Sequence, residues 1–95
     1  MSEVFILTLT AAEGRYEELA ADMQAILPDT AAFKGAELIR AAGDPVARTV
    51  TIYEVWDTAE SHTAYTTWRG ERGDSARLGA MLGAAPTLQH LSNLF

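Results

Sequence analysis

The stretch from Tyr53 to Tyr65, YEVWDTAESHTAY, changes from the sequence pattern of a strand to that of a helix. The part up to Trp56 is rich in β-branched and aromatic residues, which predicts a strand. Beyond it, Asp57 followed three residues later by Glu60 fits a capping box, so a helix is predicted to begin at or just after Thr58. A strand that leads directly into a helix is therefore expected here.

The rest of the chain divides into short elements separated by glycine and proline. Runs of β-branched and aromatic residues predict strands, and apolar residues at three- and four-residue spacing predict amphipathic helices. The predicted elements are a strand at 4–9, a helix from Tyr16 that Pro28 ends, strands at 35–42 and 47–56 joined by a turn at 43–45, a helix from about 58 to 72 that Gly73 ends, a short helix capped by Asp74 that runs to 82, and a strand at 87–95. This order predicts an α+β, ferredoxin-like βαββαβ fold with a four-stranded antiparallel sheet and both long helices on one face.

Length, charge and cysteine content limit the classes of protein to consider. A chain of 95 residues is expected to form one domain, residues 1–95. It has no cysteine, and therefore neither a disulfide framework nor a thiol nucleophile. The formal net charge of −6 argues against nucleic acids and anionic membranes as partners. The first residues lack the basic charge of a signal peptide and their apolar run is too short to span a bilayer, so a cytoplasmic protein is expected.

The first strand is apolar on both faces, which predicts a homodimer. Val4 and Ile6 point to one side of the sheet, whereas Phe5, Leu7 and Leu9 point to the other. If both helices cover one side, the apolar residues of the other side need a different cover. A second sheet from an identical subunit supplies it, and also adds the burial that so small a chain lacks.

A candidate site forms where the third strand meets the following helix. Glu54 and Trp56 point to the same face of the strand. His62, Tyr65 and Arg69 lie three and four residues apart, so they form one stripe on the helix. If the helix folds back over the strand, these side chains approach each other where a ligand pocket can open between helices and sheet.

Each of these residues also has a purely structural interpretation. Trp56 can be a large core aromatic, His62 an ordinary polar helix residue, and Tyr65 a half-buried packing residue with a satisfied hydroxyl. Glu54 is expected to pair with Arg69 or Arg72. The sequence alone leaves these alternatives open.

Other polar residues carry weaker signals. The segment 68–74 could bind an anionic substituent, but its acidic residues cancel the charge of its arginines, so a solvated helix end is favoured. His90 is isolated on the last strand and is expected to be structural. Two histidines without cysteine do not indicate a metal site, and no glycine-rich phosphate loop is present.

Several short motifs, in this order along the chain, resemble the antibiotic biosynthesis monooxygenase family. They are GRYEELAADM at 14–23, FKG at 33–35, EVWD at 54–57 and AP at 85–86. The resemblance implies a dimeric α+β barrel. It leaves the chemistry open, because the family includes quinol and anthrone oxygenases, haem-degrading enzymes and proteins with no assigned activity.

Two departures disfavour the haem-degrading branch of that family. The branch uses an Asn on the first strand and a His about ten residues beyond a Trp like Trp56. Here the first strand has no Asn, the tenth position after Trp56 is Thr66, and His62 lies four residues too early. Of the residues with which the polyketide-acting branch holds its substrate, only the Trp can be matched with assurance in this chain, to Trp56.

Residues and resemblance together favour a cofactor-independent monooxygenase that acts on an aromatic, quinol or polyketide-like small molecule, although the sequence does not decide whether the chain is an enzyme. His62 is the candidate base, and Tyr65 and Arg69 are candidates for stabilising the developing oxyanion. Trp56 and Glu54 are the candidate substrate-binding residues, and no cofactor is required by the residues present. The alternatives are a non-catalytic dimer that binds a small apolar ligand or serves as a structural module, and an isomerase or cyclase on the same scaffold.

Overall fold

The computed structural model describes residues 1–95 and contains four strands and three helices. They are β1 (Glu3–Thr10), α1 (Tyr16–Ala31), β2 (Ala36–Asp44), β3 (Thr49–Trp56), α2 (Ala59–Glu71), α3 (Asp74–Gly79) and β4 (Thr87–Ser92). The strands form one antiparallel sheet in the order β2-β3-β1-β4. The predicted ferredoxin-like βαββαβ plan is thereby confirmed.

Both long helices cover the same face of the sheet. Leu19 of α1 is buried in one cluster with Leu9 of β1 and Ile52 of β3. His62 of α2 stacks on the ring of Phe5. Phe5 and Leu9 point to the same side of β1, because side chains alternate along a strand. This helix-covered face carries the main core.

The end of α1 differs from the prediction, because the helix continues past Pro28 to Ala31. Proline removes one helical hydrogen bond but does not end a helix when other contacts hold the last turn. Here the guanidinium of Arg69 donates to the carbonyl oxygen of Ile26 and to the hydroxyl of Thr30, each at 2.9 Å. The prediction that Pro28 ends the helix was therefore wrong, and the reason is a contact from a distant part of the chain.

The start of α2 lies where it was predicted, but its cap is a different residue. Thr58 has an extended backbone and its hydroxyl accepts the N–H of Ser61 at 3.1 Å, as an N-cap does. Asp57, the predicted cap, precedes this position. The hydroxyl of Ser61 donates to the Asp57 carboxylate and holds its pKa below the ordinary value. The predicted capping box is therefore replaced by a simple threonine cap.

Gly73 separates α2 from α3, as predicted, and its φ of 81° is a left-handed conformation that glycine adopts readily. Asp74 was predicted to cap α3 but is its first helical residue, and its carboxylate pairs with arginines instead. The predicted extension of this helix to residue 82 was wrong, because Leu82 forms a bridge with Ala11. β4 is also shorter than predicted and excludes residues 93–95.

The face of the sheet turned away from the helices carries a row of apolar residues. Leu38, Val55, Val4 and Leu91 are paired in register across all four strands. Leu38, Leu91 and the neighbouring Tyr53 are exposed, each with more than a third of its surface accessible. We call this the outer sheet face. None of the helices has the length and apolar character needed to cross a membrane.

Candidate active site

A cavity of about 180 Å³ lies between the helix-covered face of the sheet and the three helices. The buried side chains of Leu9 and Ile52 form its floor. Three exposed residues, one from each of α2, α3 and β4, also line it: Thr66, Ser75 and Leu88. These three mark its mouth, so the cavity runs from the surface into the core.

Glu54 brings a carboxyl group into this mainly apolar cavity. It follows Ile52 on the same face of β3, and it is 4% exposed. Its Oε1 atom accepts a hydrogen bond from the indole N–H of Trp56 at 2.9 Å, whereas Oε2 makes no hydrogen bond to another residue. Burial raises the pKa of Glu54 above its ordinary value. The predicted pairing of Glu54 with Arg69 or Arg72 was wrong, because both arginines bind Asp74.

His62 lies beside Glu54 and lines the same cavity. The first turn of α2 places its imidazole parallel to the Phe5 ring, with 3.6 Å between the centroids. Its Nε2 atom lies 3.8 Å from Glu54 Oε1, which is beyond hydrogen-bonding distance. Burial, and to a smaller extent the nearby His90, lower the pKa of His62 below its ordinary value. The neutral imidazole is therefore favoured, and neither of its nitrogens is occupied by another residue.

His90 stacks on the opposite side of the same ring. Its centroid lies 4.3 Å from that of Phe5, and its Nε2 atom is 2.8 Å from a carboxylate oxygen of Glu3. His90 does not line the cavity. It was described from the sequence as isolated, but it belongs to a stack of two imidazoles with Phe5 between them.

Trp56 lies behind the cavity and does not line it. Its side chain is fully buried and packs against Phe33 and Tyr65 at centroid distances of 6.2 and 5.1 Å. The structure therefore does not place the Trp56 ring against a ligand. Its contribution to the site is the hydrogen bond that orients Glu54.

Arg69 faces the cavity, but its hydrogen bonds are directed into the protein. Nε donates to the hydroxyl of Tyr65 at 2.9 Å, and Nη1 donates to Asp74 Oδ2 at 3.0 Å. Nη2 donates to the Ile26 carbonyl and to the Thr30 hydroxyl. A guanidinium has five N–H donors, and these contacts engage four of them. Arg69 therefore joins all three helices rather than presenting a free cation to a ligand.

Tyr65 takes part in the same network. Its hydroxyl lies 2.6 Å from that of Thr30 as well as accepting from Arg69. Its ring contributes to the cavity wall. The half-buried packing role expected as an alternative from the sequence describes this arrangement well.

Three arginines bind the buried carboxylate of Asp74. Arg69 and Arg72 both donate to Oδ2, and Arg77 donates to Oδ1 at 3.1 Å. The hydrogen bond from Arg69 is the main cause that lowers the pKa of Asp74. The interpretation of segment 68–74 as a solvated helix end holds for residues 70–73, which are exposed, but was wrong for Arg69 and Asp74, whose ion pair is buried.

No protein-family model matches this sequence, and no curated protein is significantly similar to it. Solved structures are similar over essentially the whole chain. A protein of unknown function from Nitrosomonas europaea superimposes with a TM-score of 0.86 at 17% identity, covering 99% of this chain and 90% of that one. The chain therefore has the same fold as the Nitrosomonas europaea protein.

Two further structures give the same result. A Deinococcus radiodurans protein provisionally named an antibiotic biosynthesis monooxygenase has a TM-score of 0.84 at 16% identity, with 98% of this chain and 93% of that one covered. A Pseudomonas aeruginosa protein has a TM-score of 0.79 at 21% identity, with coverage of 99% and 95%. The α+β, ferredoxin-like fold of the single chain is confirmed, and at these identities the likeness concerns the fold alone.

Proposed function

We propose that this chain is a member of the antibiotic biosynthesis monooxygenase family and catalyses a cofactor-independent oxygenation of an aromatic, quinol or polyketide-like small molecule. One observation carries the proposal: the buried imidazole of His62, with a lowered pKa and no hydrogen-bonding partner, faces an apolar cavity beside Glu54. A neutral imidazole is suited to remove a proton near neutral pH. The shared fold with a provisionally named monooxygenase supports the class of reaction.

The reaction requires only a base, an activated substrate and dioxygen. His62 takes the proton of a phenolic hydroxyl, and the negative charge delocalises onto the ring carbon opposite the oxygen. That carbon forms a C–O bond with dioxygen, and the resulting peroxide anion recovers the proton from the imidazolium. Loss of water from the hydroperoxide leaves a quinone. One phenol and one dioxygen thus give one quinone and one water, with dioxygen as the oxidant.

Within this proposal the polar residues take different roles from those assigned from the sequence. His62 is the base, and the buried carboxyl group of Glu54 lies 3.8 Å from its Nε2 atom. Tyr65 and Arg69 are positioning residues, since their polar atoms hold α2 against α1 and α3. Trp56 orients Glu54 from behind the cavity.

Two other functions fit parts of the site. A non-catalytic ligand-binding dimer is favoured by the engagement of Arg69, which leaves the cavity without a free cation. An isomerase or cyclase would use His62 in the same way but without oxygen. Oxygen consumption separates these functions from a monooxygenase.

Oxygen uptake is the test of the proposed function. We expect the purified protein to accelerate oxygen consumption by at least one member of a panel of phenols, quinols and anthrones, with equal amounts of substrate and oxygen consumed. Heat-denatured protein at the same concentration is the control for spontaneous oxidation. Conversion of a substrate under argon would indicate an isomerase or cyclase. Binding without any conversion would indicate a ligand-binding module.

We also propose that the protein is a homodimer in which two outer sheet faces pack together. The support is the apolar row across this face and the exposure of Leu38, Leu91 and Tyr53 on it. Isologous pairing of identical faces is the commonest arrangement in homo-oligomers. Such a contact buries apolar surface that the helices leave uncovered.

Charged substitutions test this interface. We expect Tyr53→Glu and Leu91→Glu each to weaken self-association by tenfold or more, because two copies of each new carboxylate are buried at the symmetric contact. Val46→Glu is the matched control, since Val46 is exposed in the turn between β2 and β3. Analytical ultracentrifugation measures the association. A monomeric unaltered protein at micromolar concentration would contradict the proposal.

A further inference from the structure

The cavity has two buried polar side chains whose hydrogen-bonding capacity the protein itself does not use. Glu54 and His62 are 4% and 8% exposed. Oε2 of Glu54 and both ring nitrogens of His62 make no hydrogen bond to another residue. No side-chain nitrogen or oxygen that is fully enclosed by the protein lacks a hydrogen-bonding partner, so these atoms face the open space of the cavity. A ligand with a polar group at this point can pair with them.

The distance between the two side chains suggests which group it is. The 3.8 Å between His62 Nε2 and Glu54 Oε1 is too long for a direct hydrogen bond. A single oxygen atom at about 2.8 Å from each of them spans this distance, because hydrogen bonds of that length are ordinary. A hydroxyl group there can donate to Nε2 of the neutral His62 and accept from the carboxyl group of Glu54 in its protonated form, which burial favours. The geometry therefore suits a ligand hydroxyl.

The volume limits the size of the ligand. A closed apolar cavity of about 150 Å³ binds benzene, and this cavity has about 180 Å³. Its floor consists of Leu9, Ile52 and Met23, which are buried in the main core cluster. Core side chains are closely packed and cannot be displaced without cost. One ring with small substituents therefore fits inside the cavity, whereas a system of three fused rings extends through its mouth.

The charges limit the ligand further. The only guanidinium that lines the cavity is that of Arg69, and four of its five donors are engaged within the protein. The carboxylate of Asp74 also contributes to the lining. A ligand carrying a carboxylate or phosphate would meet no free positive charge here. A neutral molecule is therefore favoured.

From these observations we propose that the cavity binds a neutral single-ring phenol or enol, whose hydroxyl group is held jointly by Glu54 and His62. This inference rests on the proposed function and narrows its substrate class. The apolar ring lies over the core residues of the floor. The hydroxyl is placed beside the imidazole that would accept its proton.

Binding under argon tests the inference separately from catalysis. We expect phenol to bind roughly tenfold more tightly than toluene, which has the same shape without the hydroxyl. We expect anthrone, which has three fused rings, to bind more weakly than phenol. Phenol should shift the indole N–H signal of Trp56 in the NMR spectrum, since that group is bonded to Glu54. The Trp68 indole, which does not line the cavity, is the internal control.

Variants identify the residues that hold the hydroxyl. Glu54→Leu and His62→Leu should each lower the affinity for phenol roughly tenfold and leave that for toluene nearly unchanged. Thr63→Val is the control, because Thr63 does not line the cavity and its hydroxyl donates to the Ala59 carbonyl. If a variant does not fold, the comparison of phenol with toluene on the unaltered protein still tests whether the cavity recognises the hydroxyl group.

The possible outcomes separate the two proposals. Toluene binding as tightly as phenol, or anthrone binding more tightly than phenol, would overturn the inference. Phenol binding through Glu54 and His62 without oxygen consumption would support the inference while contradicting the proposed oxygenation. Oxygen consumption with anthrone alone would support the oxygenation and overturn the inference on ring size.

Discussion

Replacing Arg69 with methionine is expected to lower the free energy of unfolding by about 3 kcal/mol. Removing one partner of a buried ion pair typically costs about 3–5 kcal/mol, because the other charge stays buried without compensation. Here Asp74 keeps its contacts with Arg72 and Arg77, which places the loss at the lower end of that range. The hydroxyls of Tyr65 and Thr30 also lose a donor. For a small domain this is a large share of the total stability.

Urea unfolding followed by circular dichroism measures the effect. Arg77→Met is the matched control: Arg77 also pairs with Asp74, but about half of its side chain is exposed. Exposed pairs contribute about 1 kcal/mol or less, so the control should be close to the unaltered protein. Equal losses for the two variants would show that Arg69 is not the centre of the network.

The pH dependence of stability gives a second measurement of the same network. Arg69 lowers the pKa of Asp74 in the folded state below its ordinary value of 3.8. A group with a depressed folded-state pKa contributes stability above its unfolded pKa, and this contribution is lost as the pH falls through the folded value. The unaltered protein should therefore lose stability below about pH 4. Arg69→Met should lose less over that range.

The parts of this structure that depend on local pattern could be predicted from the sequence. Alternation along β3 places Glu54 on the helix-covered face, and helical spacing places His62 and Tyr65 on one stripe that faces it. Both patterns involve residues of two consecutive elements. They led to the right fold and to residues that line one cavity.

The parts that could not be predicted depend on contacts between distant segments. Thr30 lies after a proline in the sequence, and its hydroxyl contacts both Arg69 and Tyr65 of another helix. Asp74 resembles a helix cap until the left-handed turn at Gly73 brings its carboxylate to Arg69. Local patterns do not encode such pairings, because each depends on how the helices pack on the sheet.

The position of Trp56 could not be predicted for a similar reason. Alternation gives the face of the strand to which its side chain points, but not whether a ligand or the protein itself fills the space above it. Phe33 and Tyr65 fill that space. The aromatic residue that was expected to hold a substrate ring is therefore part of the packing.

Replacing His62 with alanine is expected to lower kcat/KM for an authentic substrate by roughly 100-fold or more, because general bases contribute typically 10²–10⁴-fold to the rate. The matched control is His90→Ala. His90 stacks on the other side of Phe5 and is absent from the cavity lining, so its removal should change the rate little. Added imidazole should restore part of the activity of His62→Ala, because it can occupy the space of the missing side chain. Equal rates for His62→Ala and the unaltered protein would remove His62 from the mechanism.

The pH profile distinguishes a base from a residue that only shapes the cavity. Burial lowers the pKa of His62 below 6.5, so the imidazole is neutral and active at and above neutral pH. The rate should therefore be level near pH 7 and fall on the acid side, with its midpoint below 6.5. His90→Ala should move this midpoint upward, because the electrostatic interaction with His90 contributes to the lowered pKa of His62. If His62 only fills space, the pH profile of His62→Ala should be parallel to that of the unaltered protein. If His62 is the base, the fall in rate on the acid side should be absent from the profile of His62→Ala.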